Sequence, residues 1–141
     1  MKNSALLIAL VSILMYSCGS ATKAVTAKTP KEVKEKPVRI ANDSLEYEII
    51  IFDMGFTSYL ATAKPMSFYN QKTLELRNQV YVNEWNNRVR NPSQYDSSIY
   101  ENIIDYQPTI DYGMEVNYKL YQYFQFAQRK YKMRLGSFRV E

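Results

Sequence analysis

Histidine is absent from all 141 residues, cysteine occurs once, and glycine only four times. Without imidazole the chain lacks the usual general base, the partner of Ser and Cys nucleophiles, and the commonest metal ligand. Its scattered glycines build no phosphate-cradling loop. A lone thiol at Cys18 rules out an internal disulfide and leaves no cysteine cluster for a metal. Nor does any apolar run reach the roughly 20 residues of a membrane-spanning helix. Carboxylates are the chemistry-bearing groups that remain, and no cofactor or metal is expected.

What is present begins with Met1-Lys2 and an almost unbroken apolar run from Ala5 to Tyr16. One positive charge followed by about a dozen apolar residues is the layout of a secretory signal. LMYSCGS, residues 14–20, places the sole cysteine at the end of that run among small residues. Here the sequence resembles the lipobox of bacterial lipoproteins, although Met15 stands where those motifs prefer Leu. The resemblance implies a signal over 1–17, cleavage before Cys18, acylation of that residue and attachment to a membrane. The alternative is ordinary cleavage at Gly19-Ser20-Ala21 or Val25-Thr26-Ala27, which would release a soluble periplasmic protein.

From residue 19 to about 42, six basic residues meet two acidic ones among Ala, Thr and Pro, with no aromatic side chain. Such a stretch buries too little apolar surface to offset its ordering entropy, and residues 18–42 read as the acylated cysteine and a basic tether. The high overall pI belongs to this tether. Residues 43–141 carry eleven basic and twelve acidic residues, so a nucleic-acid face is not supported. Arg129, Lys130, Lys132 and Arg134 cluster near a helix end, where they complement the dipole.

Residues 43–141 suffice for one small domain. LEYEIIIF, residues 45–52, alternates Leu45, Tyr47, Ile49 and Ile51 against Glu46 and Glu48, then turns apolar on both faces, as a strand entering the interior does. Phe56, Tyr59, Leu60 and Ala63 predict a short helix stopped by Lys64-Pro65. Asn70 is placed to cap a long helix over 71–90, on which Leu74, Tyr81, Trp85 and Val89 share a face. A second long helix is expected over 111–135, with Gly136 as its C-cap. Short strands at 103–106 and 137–140 complete an α+β domain dominated by helices, with a small sheet built on 45–52.

EYEIIIFDMGFTSYL, RNQVYVNEWNNRV and IDYQPTIDYGMEVNYKLYQYF resemble a domain-of-unknown-function family of Bacteroidota envelope lipoproteins. The resemblance covers nearly all of 43–135. It implies an envelope location and carries no assigned activity or site residues.

The repeated Ile-Asp-Tyr around Pro108 makes Asp105 and Asp111 the most distinctive carboxylates. A turn there would bring them together as an acid/base pair or as oxygen ligands for Ca²⁺; alternatively Asp111 caps the last helix and Asp105 closes a turn. Trp85, set among Asn83, Asn86 and Asn87, suits stacking on a sugar ring, or else belongs to the core beside an i,i+4 Glu84–Arg88 pair. Thirteen tyrosines, with Tyr118, Tyr121 and Tyr123 crowding the last helix, are more than one small core is expected to hold. They make a tyrosine-rich helical surface a candidate partner patch, or else they pack at the rim of the core. Asp43-Ser44-Leu45 resembles an O-glycosylation sequon, with Ser44 as acceptor. The expectation is a non-catalytic, lipid-anchored envelope protein on the periplasmic side of the outer membrane, with an envelope protein as partner. The alternative is a glycan-binding or carbohydrate-active module using Trp85 with Asp105 and Asp111.

Overall fold

The computed structural model describes residues 36–141. Their elements are β1 (Val38–Asn42), β2 (Tyr47–Ile51), α1 (Phe56–Thr62), α2 (Gln71–Val89) and α3 (Gly113–Lys130), with 3-10 turns at Asp43–Leu45 and Met66–Phe68. Two antiparallel strands and three helices make this an α+β domain dominated by helix.

β2 shows the expected alternation, with Tyr47, Ile49 and Ile51 turned inward and Glu48 and Ile50 outward. Its partner is a correction to the sequence reading, which ran the tether through residue 42. Val38–Asn42 instead pairs in the register Val38↔Ile51, Ile40↔Ile49 and Asn42↔Tyr47. Val38 and Ile40 alternate with Arg39 over too few residues to stand out beside a Lys- and Pro-rich run. Leu45, assigned to the strand from sequence, sits in the 3-10 turn between the strands. There the Asn42 side chain accepts the Ser44 N–H at 3.1 Å, and Glu46 takes a left-handed backbone at φ 52°.

The helix starts follow local chemistry. Asn70 Oδ1 accepts the Thr73 N–H at 3.4 Å, as an N-cap does. α1 opens from Gly55 at φ 95°, a backbone that L side chains resist, and it ends before Lys64-Pro65. α3 is the central element. Between Val116 and Gln128 every residue but Lys119 is buried, with α2, α1 and β1 packed around it.

α3 stops five residues short of the expected end. Lys132 adopts φ 51°, and the Met133 N–H closes on the Gln128 carbonyl at 3.1 Å, the 6→1 bond of a Schellman closure. Gly136 is a packing residue instead of a cap, since a Cβ there would come within 3.1 Å of Val80 Cγ1. Residues 137–140 form no strand. Glutamines of α3 hold the final segment in its place: Gln128 Oε1 accepts the Leu135 N–H at 2.9 Å, and Gln125 Oε1 accepts the Glu141 N–H at 2.8 Å. Residues 103–106 are likewise irregular. Asn86 binds Ile104 on both sides, donating to its carbonyl at 2.8 Å and accepting its N–H at 2.8 Å. One side chain thus stands in for a neighbouring strand.

Tyr47 packs on Tyr112 with ring centroids 4.3 Å apart, and its buried hydroxyl has no partner. Burial pushes this phenol above its ordinary range. An unpaired buried hydroxyl costs about 1–3 kcal/mol, so Tyr47→Phe is expected to leave stability unchanged or raise it by about 1 kcal/mol. Chemical denaturation tests this, and a loss beyond about 1 kcal/mol would point to a bond that the hydroxyl makes.

Candidate functional site

The tyrosines expected at a partner surface lie inside. Tyr121 is fully buried, and its hydroxyl accepts from Arg77 at 2.9 Å. Tyr118 is buried and donates to the Lys64 carbonyl at 2.8 Å. The core holds more tyrosine than expected because amides and termini take up the hydroxyls. Tyr59 donates to Gln122 at 3.3 Å, Gln122 donates to Tyr69 at 3.1 Å, and Tyr69 donates to Glu141 at 3.2 Å. Burial raises the Tyr121 and Tyr123 phenols above their usual range. Burial would also raise the Glu141 carboxyl, but the Tyr69 hydroxyl and Lys64 hold it below its ordinary range.

Trp85 also departs from the sugar-stacking expectation. Its indole is only 4 % exposed. Tyr100 meets it edge-on at 5.0 Å, Tyr123 and Phe124 pack against it, and its N–H donates to the Asn102 carbonyl at 3.1 Å. Glu84 and Arg88 form the anticipated pair at 2.8 Å. A ring enclosed in this way has no face to offer a sugar.

Asp105 and Asp111 are both exposed, and Asp111 is held by hydrogen bonds. Asp111 Oδ1 accepts the Gly113 N–H at 2.9 Å at the start of α3, and accepts from Gln71 Nε2 at 2.6 Å. The same Gln71 amide donates to Glu75 at 2.7 Å. These residues border an open depression of about 510 Å³ beside Pro108, in which Asp111 joins the beginnings of the two long helices. Among the described residues no three potential ligands gather as a metal site. Ser44 is exposed in the turn between the strands. Cys18 and the signal expected over 1–17 lie outside the described residues.

The surface that remains is one the sequence reading placed in the interior. Ile50 is half exposed and Phe52 is 79 % exposed. They continue the outward face of Glu48, and this persisting two-residue period was the signal for it. β2 pairs with β1 along one edge, and no other described strand pairs with it. Beside residues 49–53 runs a cleft of about 160 Å³, walled by Ser98, Ile99, Glu101 and Ile104 and floored by Trp85, Tyr123 and Tyr131. Asn86 holds that wall through Ile104. An open strand edge beside a cleft of mixed polar and apolar lining can accept an extended segment by backbone hydrogen bonding.

A family model described as "Family of unknown function (DUF6146)" matches residues 6–140. No curated protein and no solved structure matches the chain.

Proposed function

The chain belongs to that family of unknown function, and on that premise we propose a lipid-anchored envelope protein whose domain is a non-catalytic interaction module. Cys18 carries the acyl chains and holds the protein to the periplasmic face of the outer membrane. The domain receives an extended segment of another envelope protein along β2.

The observation that carries this reading is the open β2 edge beside the cleft, flanked by exposed Ile50. An uncovered apolar strand edge is an aggregation liability that folded proteins ordinarily blunt, and a partner strand removes the liability. Outside this edge Asp111, Tyr118 and Tyr121 are held by hydrogen bonds within the domain.

A photo-crosslinking residue at Ser98, in the cleft wall, is expected to give one discrete protein adduct in intact cells. The same residue at exposed Asn87 on α2 should give none, and Ile50→Glu should abolish the Ser98 adduct by charging the groove. A Ser98 probe without an adduct would overturn the interaction reading. Mass spectrometry tests the anchor: the acylated N-terminal peptide should vanish in Cys18→Ala, and its persistence would refute the assignment.

A further inference from the structure

Phe52 and Met54 are 79 % and 77 % exposed, and the residue between them fixes that outcome. The Asp53 side chain is only 9 % exposed, and its carboxylate pairs with Lys130 and accepts from the Tyr131 hydroxyl at 3.0 Å. Lys130 also donates to the Met54 carbonyl at 2.9 Å. With Asp53 clamped inward against the end of α3, the flanking side chains must point outward. The turn is therefore built to present two apolar side chains to the surroundings.

The chain enters the fold at the same corner. Lys36 and Pro37 border one small depression together with Ile51, Phe52 and Met54. Lys36 stands eighteen positions after Cys18, a reach of about 60 Å at full extension and about 23 Å for a coil of that length. That segment contributes Lys23, Lys28, Lys31 and Lys34. Near the exposed pair Asp53 is matched by Lys130, whereas the exposed Glu101, which shares a cleft with Phe52 and Asp53, makes no ion pair among the described residues. Lys36 makes no ion pair among the described residues, and Arg129 is exposed next to Lys130. An exposed apolar pair with Lys36 beside it, at the point where a basic anchor segment arrives, suits the headgroup region of an anionic bilayer.

We infer that the turn after β2 seats the domain on a lipid surface, with Phe52 and Met54 entering the interface and Lys36 meeting anionic headgroups. This rests on the anchored reading above and gives the anchored domain a fixed orientation, with its strand edge beside the membrane.

The test uses the acylated chain in vesicles of phosphatidylethanolamine and phosphatidylglycerol, with an environment-sensitive fluorophore on Met54→Cys or on Phe68→Cys. Phe68 is 74 % exposed and shares no depression with Lys36, so it controls for exposure alone. Emission from position 54 should shift to the blue and be quenched by nitroxide lipids, position 68 should respond to neither, and Phe52→Ser should weaken the signal at 54. Equal responses at 54 and 68, or shielding at 54 that persists without lipid and is due to a bound protein, would overturn the inference. If mass spectrometry finds Cys18 unacylated, the anchor fails by itself. The processed soluble chain is then sedimented with the same vesicles, and Phe52→Ser/Met54→Ser should lower partitioning about tenfold or more. Unchanged partitioning would overturn lipid docking independently of acylation.

Discussion

Trp85→Ala is expected to cost about 3–5 kcal/mol of folding stability, the range for deleting a large aromatic ring from a packed interior. Two losses add. The cavity faces Tyr100, Tyr123 and Phe124, whose rings stand 5.0, 5.7 and 6.1 Å from the indole and belong to elements that cannot all close in. The Asn102 carbonyl also loses its donor. Trp85→Phe separates the two, since it keeps most of the ring volume and forfeits the hydrogen bond, and should cost about 1–2 kcal/mol. Urea denaturation followed by circular dichroism measures both variants, as the tryptophan signal is gone. An alanine variant within about 1 kcal/mol of the parent would mean that the indole is not core.

Asn86→Ala carries the second large effect, about 2–4 kcal/mol, because it strands the N–H and the carbonyl of Ile104 together. Both bonds are 2.8 Å and buried, so water does not simply replace the amide. The consequence is also local. Residues 98–104 form the outer wall of the cleft along β2, and in the variant the Ile104 amide should exchange hydrogen well before the amides of α3. Asn86→Asp should be no better at neutral pH, since a carboxylate keeps the acceptor but sets charge against the Ile104 carbonyl. Protection of Ile104 unchanged in both variants would remove Asn86 as the support of that wall.

The two residues also show how far sequence reasoning reaches. Trp85 shares a helical face with Leu74, Tyr81 and Val89, and that spacing placed it in the core as one of two readings. Asn86 is adjacent and polar, and nothing in a single sequence says that its amide will serve as a strand partner for a residue eighteen positions later. Gln125 and Gln128 hold the last residues in the same unforeseen way. Between Val116 and Gln128, α3 is buried on nearly every side, and it places amides inside because tyrosines and loose backbone supply their partners.

The chain by itself determined what is local: the Asn70 cap, the stop at Lys64-Pro65, the alternation of β2 and the helix-dominated α+β class. Each follows from backbone sterics or a side chain within a few residues of where it acts. Tertiary structure alone decided that Val38–Asn42 is a strand, that Tyr118 and Tyr121 are interior, and that Phe52 and Met54 face outward. Those outcomes depend on partners far along the chain: residues 47–51 for the strand, Arg77 and the Lys64 carbonyl for the phenols, and Lys130 and Tyr131 for the aspartate between the exposed pair. A hydroxyl or carboxylate turns inward only where the fold supplies its hydrogen bond, and that supply is set by which elements meet.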